Sequence, residues 1–244
     1  MKVSDDPRLA PEGRSAELAR RLDLVRGRIE AACQAAGRSA REVTLIAITK
    51  TFPASDVRLL AALGVRDVGE NRDSEAAPKA AQCADLRPPL TWHFVGQLQT
   101  NKSASVVSYA AVVHSVDRLR LVRALGTQAR RADRAVCCLV QVSLDGDPAR
   151  GGATAVEVPR IADAVAAEPG LVLGGVMAVA PLAKPPAAAF GRLAEIAAAL
   201  RAEHPEAVMI SAGMSGDLEE AIAAGATHVR VGTALLGGRP AFVG

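Results

Sequence analysis

Aromatic side chains are scarce in this chain: one Trp, one Tyr and four Phe, 2% of 244 residues. That excludes the stacking platforms on which single-stranded nucleic acids lie. Charge of one sign is also missing in quantity. The 29 Lys and Arg residues face 26 Asp and Glu, a net +3 that is too balanced for a polyanionic partner. Arg130, Arg131 and Arg134 form a local basic cluster that reads as a solvated helix end. Cysteine is limited to Cys33, Cys83, Cys137 and Cys138, with no CxxC pair and no Cys/His metal spacing. The adjacent Cys137 and Cys138 fall in an apolar run, point to opposite faces of a strand and read as small core residues. This usage suits a reducing cytoplasm. Met1 to Arg14 is polar and has no signal-peptide apolar core. No apolar run nears the roughly 20 residues needed to span a bilayer. The expectation is a cytoplasmic protein with neither a nucleic-acid nor a membrane partner.

What the chain has is small aliphatics. Half of its residues are hydrophobic, chiefly Ala, Val and Leu. Leu18, Leu22, Val25 and Ile29 make one stripe of a helix over 15–36, and Gly37 stops it. Apolar runs suited to strands then recur near 43–48, 65–69, 92–95, 111–114, 136–142, 172–179, 207–211 and 228–232. Helical segments lie between them, near 55–63, 72–83, 101–108, 117–131, 154–167, 187–203 and 217–224, with a last short helix from Thr233. Such alternation means parallel βαβ units. Eight of them in this length favour a closed barrel over an open sheet. The run at 65–69 is short, so seven strands remain an alternative. The fold class expected is α/β, a single (β/α)8 TIM-type barrel with an additional N-terminal helix. Residues 1–14 read as a flexible tail and 15–244 as one domain.

In such barrels reactive groups sit where strands end. The first strand delivers Thr49 and Lys50, the second Glu70 and Asn71, the sixth Met177. The seventh leads into Ser211-Ala212-Gly213-Met214-Ser215-Gly216-Asp217, and the eighth carries Arg230 into Gly232 and Thr233. Glycine-rich turns that open helices present unpaired amides to an anion. Barrels of this kind often hold phosphate on the loops after strands seven and eight. First and last strands are neighbours in a closed barrel, so Lys50 and that turn face one cavity. An amine that sheds its proton attacks an aldehyde. A phosphorylated aldehyde held as a Schiff base points to pyridoxal 5'-phosphate (PLP). Arg230, facing inward, would donate to the pyridine nitrogen and leave it unprotonated, because a guanidinium keeps its protons. Each residue also has a plainer reading. Lys50 can be a lysine reaching solvent from a strand end, Asp217 a helix N-cap, Arg230 an ordinary ion pair. His93, His114, His204 and His228 read as structural, and Tyr109 as packing.

Several motifs carry a resemblance: Ile48-Thr49-Lys50-Thr51, Phe52-Pro53-Ala54, Gly69-Glu70-Asn71, Trp92-His93-Phe94-Val95-Gly96, Leu98-Gln99-Thr100-Asn101-Lys102, Ser115-Val116-Asp117, Gly175-Val176-Met177-Ala178, Ser211 to Asp217, and Val229 to Thr233. In this order the chain resembles the pyridoxal phosphate homeostasis family, also described as alanine racemase N-terminal-like. The resemblance implies one barrel holding PLP by a Schiff base to Lys50. It implies phosphate contacts from Ser215, Gly232 and Thr233, with Arg230 at the ring nitrogen and Asn71, His93 and Met177 lining the pocket. Ser211, Gly213 and Met214 complete the expected cofactor-binding set. The implied role is vitamin B6 homeostasis without robust turnover. PLP is the partner expected, with PLP-dependent apo-enzymes as candidates beside it, and an exposed N-terminal helix is compatible with a monomer. The loop 147–152 and the ending Gly238-Arg239-Pro240 depart from the family pattern. Lys102, on a barrel-mouth loop, is a candidate for a second, transient attachment during release. The alternative is a PLP-dependent amino-acid racemase, which needs a second base across the cofactor from the lysine. A barrel that binds another phosphorylated ligand, with Lys50 acting only as a charge, is a third reading.

Overall fold

The computed structural model describes residues 11–146, 150–181 and 185–238. Within them eight parallel strands close into a barrel in chain order. They are β1 (Thr44–Ile48), β2 (Asp67–Glu70), β3 (Thr91–Phe94), β4 (Val112–Val116), β5 (Val136–Gln141), β6 (Leu171–Met177), β7 (Met209–Ser211) and β8 (His228–Val231). The helices are α1 (Pro11–Ala35), α2 (Ala54–Ala62), α3 (Asp73–Gln82), α4 (Ser103–Tyr109), α5 (Leu119–Arg131), α6 (Val158–Ala167), α7 (Pro186–Glu203), α8 (Leu218–Ala223) and α9 (Thr233–Leu236). Every expected strand and helix is present, and β2 makes eight strands rather than seven. Closure comes from β1 against β8, with Ile46 beside Arg230 and Ala47 beside Val231.

Strands of a parallel barrel are buried on both faces, which is why they read as nearly continuous apolar runs. Their outward residues feed two clusters under the helices. One gathers Val113, Val140, Val176, Leu125, Ile161 and Leu193 beneath α4 to α8. The other gathers Ala47, Val68, Val229 and Val231 with Leu18, Leu22, Val25 and Leu60 beneath α1 and α2. Inside the barrel the apolar cluster is small, built on Val112, Leu139 and Met177. Beside these and Ile46 the interior carries polar groups: His93, His114, Ser211 and Arg230 are all buried there.

The N-terminal helix starts earlier than the expected residue 15. α1 begins at Pro11, so residues 11–14 are helical rather than frayed. Proline is well suited to a first helical turn, where its missing N–H costs no bond. Arg14 then fixes the start by pairing with Asp56 at 2.7 Å and donating to the Leu236 carbonyl at 3.0 Å. Residues 1–10 lie outside the described residues, as do 147–149 of the divergent loop and 239–244 of the divergent ending. The basic cluster is an ordinary helix end: Arg130 pairs with Glu168, and Arg134 donates to the Val107 carbonyl. Among the described residues no helix is long and apolar enough to cross a membrane, and no His/Cys/Asp/Glu group could hold a metal.

Candidate cofactor site

At the C-terminal mouth of the barrel lies a cavity of about 460 Å³, within the usual size range of a small-molecule pocket. It is reached by side chains that leave successive strand ends. Lys50 follows β1 directly. Thr49 is buried and turned toward α3, while the Lys50 side chain reaches the cavity and has no hydrogen-bond or ion-pair partner among the described residues.

A buried polar knot holds this strand end. Thr49 Oγ1 donates to Glu70 Oε1 at 2.6 Å, and Lys79 Nζ from α3 donates to the same oxygen at 2.5 Å. Lys79 also reaches the Thr49 carbonyl at 2.9 Å. Burial pushes the Glu70 carboxyl above its ordinary value, against the pull of Lys79 and Thr49. The next residue, Thr51, sits at φ 69°, a costly region for a β-branched side chain, and its amide is held by Glu75 Oε2 at 2.9 Å. The backbone flanking Lys50 is therefore fixed from both sides.

Opposite, the loops after β7 and β8 are tied together. Gly213 sits at φ 88°, and its carbonyl accepts from the Arg230 amide at 2.9 Å. Ser215 Oγ accepts from the Ala234 amide at 3.2 Å, which leaves its hydroxyl proton available. The N–H groups of Ser215, Gly216, Gly232 and Thr233 donate to no backbone carbonyl among the described residues. Asp217 occupies the N-cap position of α8, yet its carboxylate turns back to the Met214 amide at 2.6 Å instead of capping the helix. From outside, Arg28 of α1 clamps the loop. It binds the Ser215 carbonyl at 2.9 Å and Glu219 through two contacts at 2.7 and 2.8 Å.

Arg230 crosses the floor. Its Nη1 donates to Ser211 Oγ at 2.6 Å and its Nη2 to the Ala178 carbonyl at 2.8 Å. Burial lowers its pKa to about 10, with Asp217 opposing the shift, so it stays charged at neutral pH. The wall between β2 and β3 is equally tight. A Cβ on Gly96 would sit 2.1 Å from the Asn71 carbonyl oxygen, so only glycine lets these two strand ends meet.

Of the expected cofactor residues, the cavity brings together Lys50, Asn71, Met177, Met214, Ser215, Arg230, Gly232 and Thr233. Three stand off it. Ser211 lies beneath Arg230, and Gly213 packs its backbone on α8, where a Cβ would meet Ala221 at 2.7 Å. His93 is inside the barrel, bonded to His114 and Asp67, because its β3 register turns it inward below the cavity. The plainer reading of His93 as a core histidine describes it better than a pocket contact. Lys102 is exposed on a single turn of 3₁₀ helix at Thr100–Lys102 and does not line the cavity. Tyr109 packs edge-on against Trp92 and touches Asp73. Val179, Lys79 and Arg28 escaped sequence reasoning; a helix lysine and a helix arginine carry no local mark of a loop they will support.

A free amine on one wall, clustered amides and hydroxyls on another and a buried guanidinium between them suit a phosphorylated aromatic aldehyde. The comparisons agree. The family described as alanine racemase, N-terminal domain, matches residues 22–240. The pyridoxal phosphate homeostasis protein of Mycobacterium tuberculosis is 45% identical, over 93% of this chain and 94% of that one. A structure described as an unknown protein from Bifidobacterium adolescentis superposes with a TM-score of 0.84 at 30% identity, over 96% of this chain and 98% of its own. PipY of Synechococcus elongatus, solved with PLP bound, superposes with a TM-score of 0.80 at 34% identity, over 90% of this chain and 100% of its own. By the extent of these matches, the chain belongs to the pyridoxal phosphate homeostasis proteins of the alanine racemase N-terminal domain family.

Proposed function

We propose that this protein binds pyridoxal 5'-phosphate at Lys50 and serves the homeostasis of that cofactor, holding and releasing it to PLP-dependent apo-enzymes without robust turnover. The observation that carries the reading is the meeting of Lys50 with Ser215, Gly232, Thr233 and Arg230 around one cavity. When bound, the cofactor would supply an aldehyde that can condense with the Lys50 amine, releasing its oxygen as water.

The chain's own groups do the rest. Ser215 and Thr233 supply hydroxyls, and the free amides of their loops supply donors for phosphate oxygens. Arg230, as a donor that keeps its proton, would hold the ring nitrogen and keep the ring a weak electron sink. Met177, Val179 and Ile48 line the cavity and would give apolar contact to the ring. PipY, a relative of 34% identity, was solved with PLP bound, which supports the same ligand here. Against racemisation stands the lining itself. Among the described residues its titratable side chains are Lys50 and Arg230, and Tyr109 is buried elsewhere against Asp73.

The test is an absorbance spectrum of purified protein with added PLP, wild type beside Lys50→Ala. A visible band that borohydride removes, present in wild type and lost in the variant, is expected. Absence of the band in wild type would overturn the assignment in favour of a barrel that binds another phosphorylated ligand. Steady turnover of L- or D-alanine by the loaded protein would replace the carrier with a racemase.

A further inference from the structure

A continuous line of side chains runs through the barrel from the floor of the cavity to the opposite mouth. Arg230 Nη1 meets Ser211 Oγ at 2.6 Å; Ser211 Oγ meets His114 Nδ1 at 3.0 Å. His114 Nε2 meets His93 Nδ1 at 2.9 Å, and His93 Nε2 meets Asp67 Oδ1 at 3.0 Å. Asp67 opens β2 at the N-terminal end of the barrel, and its side chain keeps 26% of its surface exposed. The members between are buried.

With both imidazoles neutral, the chemistry of the two ends fixes the direction of every bond. A guanidinium only donates, and an ionised carboxylate only accepts. Asp67 therefore takes a proton from His93 Nε2, which leaves Nδ1 of a neutral His93 as an acceptor. His114 must donate to it from Nε2, which leaves its own Nδ1 as an acceptor. Ser211 donates its hydroxyl proton there and accepts from Arg230. All four bonds point from cation to anion, the arrangement in which each bond polarises the next. With the direction reversed, the Ser211 oxygen would face two donors and its own proton would have no acceptor.

We propose that Asp67 sets the direction of this chain and thereby positions Arg230, making Asp67, His93, His114 and Ser211 positioning residues for the guanidinium that faces the cofactor ring. This rests on the PLP reading for its ligand but not for its geometry. Burial of His114, helped by the nearby His93, Arg230 and His228, favours the neutral imidazole the chain requires. His228 stands to the side, 6.5 Å from His93 between ring centres, with its Nδ1 engaged by Thr227 Oγ1 at 2.8 Å. Asp217 is the carboxylate whose charge reaches Arg230 directly, and it is already occupied by the Met214 amide.

The test begins on cofactor-free protein, by nitrogen-15 NMR of the imidazoles. Wild type is expected to show His93 and His114 neutral, both protonated at Nε2, in one state. Asp67→Asn offers either a donor or an acceptor at the same place, so a second set of imidazole signals is expected. Ser211→Ala cuts the far end and should leave the tautomers alone. Loaded with PLP, both variants should bind about fivefold more weakly than wild type, the loss of roughly one hydrogen bond, with a displaced visible band. A proton on His114 Nδ1 in wild type, or unchanged tautomers in Asp67→Asn, would overturn the proposal whatever PLP does. Altered tautomers with unchanged PLP affinity and spectrum would overturn the coupling to Arg230. Failure of the Lys50 experiment would remove the ligand and leave the NMR prediction standing.

Discussion

Gly96 shows how much one absent methyl group can organise. Its Cα approaches Asn71 so closely that any Cβ would collide with backbone, 2.1 Å from the carbonyl oxygen, and backbone cannot swing aside as a flexible side chain would. Gly96→Ala is therefore expected to part the loops after β2 and β3. The cost is about 1–3 kcal/mol of stability, read as a lower midpoint in denaturant, together with faster loss of PLP on dialysis. An unchanged midpoint would mean that the two loops slide apart freely. Single residues were legible in the sequence where chemistry sits at a strand end: Lys50, Ser215, Arg230 and Thr233 could be named because a barrel brings its strand ends together. Asp67 could not be. It lies at the opposite end of its strand, and its link to Arg230 passes through three residues on three other strands.

Among the elements, α1 does more than cover apolar surface. Leu18, Leu22, Val25 and Ile29 bury its inner stripe, and that periodicity was plain in the sequence. Its start was not, because Pro11 to Arg14 reads as polar tail until Asp56 and the Leu236 carbonyl are brought beside Arg14. Arg28 extends the same helix to the loop that carries Ser215. Its ion pair with Glu219 is partly exposed, at 35% and 45% of the two side chains, so it adds only about 0–1 kcal/mol to stability. Arg28→Ala should then leave the melting temperature nearly unchanged while speeding PLP release, measured by transfer to an apo-enzyme acceptor. A large fall in melting temperature with unaltered release would show that α1 only packs. β2 was the weakest strand to read for a related reason. Asp67, Gly69 and Glu70 serve a polar interior and a buried ion pair, so the run has little apolar signature.

For the whole molecule, the polar interior gives folding a dependence on acidity. Burial holds His228 neutral and lowers its pKa from 6.5 to about 4, and His114 is lowered as well. The unfolded chain takes up protons near 6.5, whereas folded His228 does not until about 4. Between those values the unfolded state binds more protons, so stability falls as pH falls. The contribution is complete above 6.5 and lost as pH approaches 4. Between pH 7 and pH 5, on either side of that unfolded value, wild type is expected to lose more melting temperature than His228→Asn, whose amide does not titrate. Parallel slopes would mean that His228 is solvated in the fold. The barrel itself was legible because eight apolar runs alternate with helices at one spacing. What fills it was not, since inward and outward residues of a strand differ only by parity, and the register appears only when the barrel closes.

That closure also sets a timetable for synthesis. Lys50 follows the first strand and Thr233 the last, and the two walls of the cavity meet only when β8 docks on β1. A ribosome adding roughly 5–20 residues per second needs on the order of 10–40 s to travel from one to the other. Throughout that interval the nascent chain displays its lysine without the turn that would grip a phosphate. Stable capture of the cofactor is therefore an event of the finished polypeptide, and a chain stalled short of β8 would leave the vitamin pool untouched.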